Sequence, residues 1–368
     1  MNRKDYDVII IGAGIAGVSA AYWLKKFDQK VLLVDKTSLL AGASGAAGAF
    51  LSPRLGKGGD LQRKTNEAYL FALDFYSKIV PEGFFQKGLL RIPKDEEDAK
   101  KFEVFKEYLD LPFKWCKIDD FSFVNRVAMQ KSALFFPSSA FVDVGLVASK
   151  LTESIDTKFG YEVKPVYKDG EWIVGEYVSK NIVIATGADK LPVDVPYIKI
   201  GRLFGERVDL KTSAKIPVTL HKKISVSANI GGIVRIGATH VRDDSRSADE
   251  RIDQLIKDAI ELAPDLKDHS LLKIYSGYRS SVNDHFPIVG AIANLNKSLS
   301  LKPFLKELKP ESSKLPRVPG CYILGGFGGR GFVFAPLMGK FLAQKIVKGR
   351  DIDKSVSSDR YLLRFLKK

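Results

Sequence analysis

The 368-residue chain holds only two cysteines, Cys116 and Cys321, and four histidines, with no C-x-x-C pair and no His–Cys cluster. Two thiols cannot build a disulfide framework, and so few soft ligands exclude a cysteine- or histidine-built metal centre. A reducing, cytoplasmic setting is expected. Long apolar runs are also scarce. The uncharged run at 37–53 consists largely of Gly, Ala and Ser, which makes a poor membrane span, so no transmembrane segment is expected. Acids are in deficit too: 43 stand against 58 basic residues, a net charge of +15. Such an excess favours a polyanion, either nucleic acid or an anionic membrane surface; a Lys-rich surface serving only solubility is the alternative. With 45% apolar and 27% charged residues the composition is that of a globular protein, and the length suffices for two domains or for one domain carrying a lobe.

The informative stretch is 7–35, DVIIIGAGIAGVSAAYWLKKFDQKVLLVD. Residues 8–11 are a short apolar run of the kind buried on both faces of a parallel sheet. Gly12, Gly14 and Gly17 follow at G-x-G-x-x-G spacing, and 15–26 has helical composition. The first glycine makes the tight turn, the second lets a pyrophosphate approach the backbone, and the third lets helix and strand pack closely. N–H groups at the helix start would face the phosphate. A second strand at 30–34 ends in Asp35, whose carboxylate would accept from the adenosine ribose. Strand, turn, helix, strand and terminal acid in this order specify a dinucleotide site. A secretory leader is the competing reading, since Asn2-Arg3-Lys4 precedes an uncharged run; Asp5 and Asp7 inside its charged region count against it.

Downstream, 41–49 is a small-residue segment, AGASGAAGA, suited to backbone running against a flat cofactor, with a serine able to donate to a phosphate or ribityl oxygen. Arg54, Lys57, Arg63 and Lys64 form a basic loop beside it. Helices are expected at 66–80, 96–109, 146–157, 248–262 and 332–347. Short strands are expected at 88–93 and within 161–178, and residues 111–135 show no clear period. A buried strand at 181–188 ends in Ala185-Thr186-Gly187. From 200 to 240 apolar and polar residues alternate, as in an antiparallel sheet with one solvated or ligand-facing side. Residues 294–319 read as a basic loop, and Gly325 to Gly331 form a second glycine-rich turn before the last long helix.

Taken together, GAGIAG with Asp35, GASGAAGAF, FVDVGLV, IVIATGA, RIGATHVRDD, GYRSSVNDHFPIVG and GGFGGRGFVFAPLMGKFLA resemble the D-amino-acid oxidase-like flavoprotein superfamily along nearly the whole chain. Within it, GASG and the G-G-R-G-x-x-x-A-P-L ending look most like the oxidase domain of the bifunctional tRNA 5-methylaminomethyl-2-thiouridine biosynthesis enzymes. Asp35 departs from the superfamily's usual glutamate. The resemblance implies an α/β fold: a two-dinucleotide-binding-type FAD domain, a parallel sheet with helices, from 1–87, 136–192 and 318–368. An α+β substrate domain with an antiparallel sheet would come from 88–135 and 193–317.

It further implies an FAD-dependent oxidoreductase acting on a CH–NH donor. Hydride passes from the CH2 beside an amine to flavin N5, and the imine is then hydrolysed. Expected cofactor contacts are Gly12, Gly14, Ile15, Ala16, Gly17, Asp35, Lys36, Ala43, Ser44, Gly48, Ala185, Thr186, Gly187, Arg279, Gly326, Gly328, Gly329, Arg330 and Gly331. Arg279 matches the superfamily's G-x-R arginine and is the first choice for the substrate carboxylate; Arg330 is the second. Each has a structural ion pair as its alternative role. Tyr278 and His285 are pocket candidates with a structural role as the alternative, Asp284 is expected to order its turn, and Cys321 stands at a buried strand with a covalent flavin link as its alternative. The substrate would be a carboxymethylamine on tRNA or a free amino acid. With tRNA, the loops at 54–64 and 297–317 and the tail 340–368 would contact phosphates, and methyl transfer would reside on another protein. No metal is expected.

Overall fold

The computed structural model describes residues 4–125, 131–241, 246–300 and 315–367. Contacts divide the chain into two compact units, residues 1–44, 148–202 and 279–368 in the first and 45–147 and 203–278 in the second. This division differs from the expected one. Residues 45–87 and 136–147 group with the second unit, and 193–202 and 279–317 with the first. Strand pairing is the reason: Phe50–Leu51 and Phe84–Phe85 both pair with Ala140–Val142 in a three-stranded sheet inside the second unit. Ile288–Ala293 pairs with Arg317–Gly325 inside the first.

The first unit is built on a sheet in which Lys4–Ile11 lies parallel between Val31–Val34 and Tyr177–Ile184. Arg317–Gly325 adds in parallel to Tyr177–Ile184. Val8 to Ile11 and Val31 to Val34 are buried throughout, as the uninterrupted apolar runs require. The edge strand Asp156–Lys158, parallel to Val31–Val34, occupies the end of the segment expected as helix 146–157. That helix is shorter, Val144–Thr152. Helices Ile15–Lys26 and Gly331–Lys348 pack together: a Cβ on Gly331 would stand 3.1 Å from Ile15, and one on Gly339 2.9 Å from the Ser19 backbone. Lys340 Nζ lies 5.3 Å from the Trp23 ring and Lys348 Nζ 4.6 Å from that of Phe27. Both sequences ascend along these contacts, so the two helices run parallel, with their N-termini at one end.

The second unit carries an eight-stranded, mostly antiparallel sheet that includes Gly201–Thr212, Ile233–Gly237 and His269–Ser281. Lys114–Lys117 pairs with Ser132–Phe136, which places part of the aperiodic 111–135 region in the sheet; 126–130 lie outside the described residues. Helix Ala248–Leu262 starts at a capping box formed by Ser247 and Glu250. A two-pronged ion pair, Arg251 Nη2 to Glu206 Oε1 at 2.7 Å and Nε to Oε2 at 2.9 Å, ties this helix to strand Gly201–Thr212. Helix Asp60–Ile79 begins six residues earlier than expected and absorbs part of the expected basic loop. Arg63 is bonded to Asp60, and Lys64 to Glu67 at 2.7 Å. No described helix is long and apolar enough to cross a membrane.

Candidate active site

The glycine fingerprint forms a closed turn in the first unit. Gly12 has φ +110°, where only glycine is unstrained, and a Cβ there would fall 2.3 Å from the Ala185 carbonyl oxygen. A Cβ on Gly17 would meet the Gly12 carbonyl oxygen at 1.9 Å. Strand, turn and helix can approach this closely only without those side chains. Gly14 has a single near neighbour, Ser44 Oγ at 3.2 Å. The same Ser44 Oγ accepts from the Ile15 N–H at the helix start, at 2.9 Å, and Ala16 lies buried in the same turn. Asp35 accepts from the Ala13 N–H at 2.7 Å and from the Thr37 N–H and hydroxyl at 2.9 and 2.8 Å. A carboxylate offers about four acceptor positions, so capacity remains for a ribose hydroxyl.

Chain closure over this turn comes from the Ala-Thr-Gly segment. The Ala185 N–H donates to the Ile11 carbonyl at 2.8 Å. Thr186 Oγ1 is buried, and no described group hydrogen-bonds it. A buried orphan hydroxyl costs about 1–3 kcal/mol unless a ligand or water satisfies it. Gly187, with φ +63°, faces open space. Lys36 and Asp189 form a 3.0 Å ion pair, both about half-exposed. The orphan hydroxyl, the side-chain-free turn and the acceptor left on Asp35 fit a dinucleotide such as FAD. Ala43 is half-buried beside Ser44, whereas Gly48 belongs to the second unit, where a Cβ would run into the Phe50 ring at 2.4 Å.

The second glycine-rich turn lies in the first unit as well. Gly326 and Gly328 have φ +71° and +55°, and Gly328 and Gly329 face open space. Arg330 caps helix Gly331–Lys348, its carbonyl accepting from Val333 and Phe334. The Gly328 N–H donates to Ser280 O at 2.7 Å, which brings the residue following Arg279 onto this turn. Arg279 is largely buried, and burial pulls its guanidinium below the ordinary arginine range. The two parallel helices thus direct two N-terminal dipole ends the same way, favouring an anion there.

Asp284 and Cys321 fall into structural roles. Asp284 is held by Arg360 at 2.9 Å and Arg364 at 2.7 Å and accepts from the Phe286 N–H. Burial pushes its carboxyl up, but the hydrogen bonds and charge of Arg360, then Arg364, overcome this and hold it at about 2. It anchors helix Asp359–Leu366, as an ordering residue would. Cys321 is fully buried in the core, and burial pushes its thiol up to about 12. His285 is exposed with φ +60°, and Tyr278 is exposed with its ring 5.1 Å from that of Phe204. Arg242, Asp243 and Asp244 of RIGATHVRDD and 301–314 of the basic loop lie outside the described residues.

Sequence reasoning passed over one polar cluster in the second unit. Arg207 and Asp209 are at least nine-tenths buried on one face of Gly201–Thr212, with Val208 and Leu210 on the other. The Arg207 guanidinium stacks 3.9 Å from the Tyr275 ring centroid, donates to Ala47 O at 2.9 Å, and lies 3.5 Å from Asp209. Arg235, paired across the ladder from Asp209, donates to Val142 O at 2.8 Å. The available signal was the alternation of Arg207 and Asp209 with the apolar Val208 and Leu210. No group of residues able to hold a metal occurs among the described residues.

Comparison with known proteins gives the arrangement its context. A family model described as DAO, FAD dependent oxidoreductase, matches residues 7–345. The chain is 26% identical over 356 residues to the tRNA 5-methylaminomethyl-2-thiouridine biosynthesis bifunctional protein MnmC of Maricaulis maris, covering 94% of this chain and 52% of that protein. To the protein of the same name from Campylobacter fetus it is 28% identical over 322 residues, covering 80% and 48%. The chain spans about half the length of these curated relatives. Its fold is that of glycine oxidase from Geobacillus kaustophilus, at a TM-score of 0.78 and 20% identity over 95% of this chain and 96% of that one. L-proline dehydrogenase from P. horikoshii superposes with a TM-score of 0.76 at 19% identity, covering 100% and 99%. The chain belongs to the DAO family of FAD-dependent oxidoreductases, with FAD as its cofactor.

Proposed function

We propose that the protein oxidises the carboxymethylaminomethyl substituent of a tRNA wobble uridine. The CH2 next to the amine gives up a hydride, and water cleaves the resulting imine to release glyoxylate and leave an aminomethyl group on the base. FAD supplies the two-electron acceptor when bound. The observation that carries this reading is the 26% identity to the Maricaulis maris tRNA-modifying protein across 94% of the chain. In this reading the methyl transfer that follows belongs to a separate methyltransferase activity.

Gly12, Gly14, Ile15, Ala16 and Gly17 would hold the pyrophosphate, Asp35 the ribose, and Ser44 and Thr186 further cofactor oxygens. Lys36, Ala43, Ala185 and Gly187 would shape the surrounding walls. Gly326, Gly328, Gly329 and Gly331 would let backbone approach the ring system. Arg279 would bind the substrate carboxylate with its planar pair of donors, and Arg330 would add charge at the helix start. An uncharged amine needs no added base to lose hydride, consistent with Asp284 being committed to Arg360 and Arg364.

A second reading, a free amino-acid oxidase, rests on the superposition with glycine oxidase. Anaerobic mixing of the purified holoprotein with tRNA bearing carboxymethylaminomethyluridine, with unmodified tRNA, and with glycine or sarcosine separates the two. Bleaching of the flavin by modified tRNA alone is the expected result. Bleaching by a free amino acid, with tRNA inert, overturns it.

A further inference from the structure

The basic excess is divided unequally. The first unit's sequence has 31 basic and 18 acidic residues and the second unit's 27 and 25, together the 58 and 43 of the whole chain. Thirteen of the fifteen excess charges therefore belong to the first unit. Within that unit much of the charge is already committed: Arg360 and Arg364 to Asp284, Arg317 to Asp359, Lys36 to Asp189, and Lys345 to Asp351. The expectation that the whole tail from 340 contacts phosphates is narrowed accordingly.

Among the cations that remain, four gather where the two parallel helices end. Lys25 and Lys26 close one, Lys348 closes the other and Arg350 follows it; all four are exposed, and none pairs with a described acid. They are interleaved with the half-buried rings of Tyr22, Trp23 and Phe27, which hold Lys26, Lys340 and Lys348 by cation–π contacts at 5.6, 5.3 and 4.6 Å. Helix dipoles alone do not account for the cluster. Two C-termini contribute about one negative charge in all. Against this stand the four exposed cations Lys25, Lys26, Lys348 and Arg350, with Asp28 as the neighbouring acid and Asp351 committed to Lys345.

We propose that the adjoining C-terminal ends of helices Ile15–Lys26 and Gly331–Lys348 form the surface that holds the phosphate backbone of the tRNA substrate. The inference rests on the tRNA reading above and names its footprint. Lysines splayed over aromatic rings give a basic surface of fixed shape, suited to a regularly spaced polyanion. Eighteen helical residues separate this surface from the Gly331 end by about 27 Å. It therefore holds the tRNA away from the reacting nucleotide and contributes affinity, not chemistry.

The test uses the full-length holoprotein. Binding of unmodified tRNA is titrated as a function of salt for the wild type, for K25Q/K26Q/K348Q/R350Q, and for a second-unit control, K211Q/K215Q/K223Q. The first variant is expected to bind at least about 10-fold more weakly near 0.1 M salt, with its log–log salt slope reduced by about 3; the control is expected to change less than about 2-fold. With modified tRNA, half-saturation rises by the same factor while the limiting rate of flavin bleaching is unchanged. Equal weakening in both variants, or wild-type binding by the first, overturns the surface. Binding of anionic vesicles in place of tRNA also overturns it. If the wild type binds tRNA but modified tRNA does not bleach the flavin, the functional reading falls while the surface stands. Should the fourfold variant not fold, K25Q and K348Q are assayed singly, each expected to lower the slope by about 1.

Discussion

The two units solve different problems with similar numbers of charged residues. The second unit neutralises itself: Glu206 with Arg251, Arg207 with Asp209, Lys64 with Glu67, and Lys101 with Glu97 leave it nearly balanced. The first unit keeps an excess of cations, and its internal contacts rely on absent side chains, at Gly12, Gly17 and Gly339. Charge balance marks a unit organised around its own packing. A surplus of one sign, together with backbone stripped of side chains, marks a unit built to take anions at close range.

Substitution at the fingerprint should break this comparison most severely. Gly17→Ala places a methyl group 1.9 Å from a carbonyl oxygen, and an expected cost of about 3 kcal/mol or more should be accompanied by loss of bound flavin. Gly59→Ala in the second unit has open space around it and should leave the yellow colour unchanged, lowering stability by no more than about 1 kcal/mol because Gly59 is the N-cap of helix Asp60–Ile79. Absorbance and thermal unfolding of the two variants measure the contrast.

In the second unit the largest single effect should come from Glu206→Gln. It leaves Arg251 buried beside a neutral amide, at a cost of about 3 kcal/mol measurable by denaturant unfolding. In the first unit, Arg279→Lys keeps the charge but loses the planar pair of donors. An expected fall of about 100-fold in kcat/KM for a carboxylate-bearing amine, with flavin content retained, corresponds to about 2.7 kcal/mol. An unchanged kcat/KM would remove Arg279 from the site.

The smallest expected effect depends on pH. Asp284 is held at about 2, below its ordinary 3.8, so its contribution is fully present above pH 4 and is lost as pH falls through 2. After allowance for partial exposure that contribution is about 1–2 kcal/mol. Hydrogen exchange in helix Asp359–Leu366 should quicken across this window, and Asp284→Asn should flatten the response while quickening exchange at neutral pH.

Much of the fold was legible because its signals are local. The glycine spacing predicted strand, turn and helix, and helix Ile15–Lys26 occupies the expected residues; helix Ala248–Leu262 also runs as expected from its early acids. The second strand and the terminal helix shifted by a residue or so at their ends. Segment 156–158 was misread, because three polar residues carry no strand pattern of their own and become a strand only by pairing with Leu32 to Val34. Helix Asp60–Ile79 was misread at its start, because Arg63 and Lys64 read as a basic loop until Asp60 and Glu67 came within reach on one helix face.

By itself, then, the sequence determined the dinucleotide turn, the order of the glycine-rich segments and the family resemblance, since each depends on residues only a few positions apart. Only the tertiary structure decided which charges remain available. Asp284 captures Arg360 from 76 positions away, Glu206 captures Arg251 from 45, and Arg207 finds Tyr275 across the sheet. Whether a cation is spent on a neighbour or left to an incoming anion is a property of distance in space. No local pattern encodes that distance.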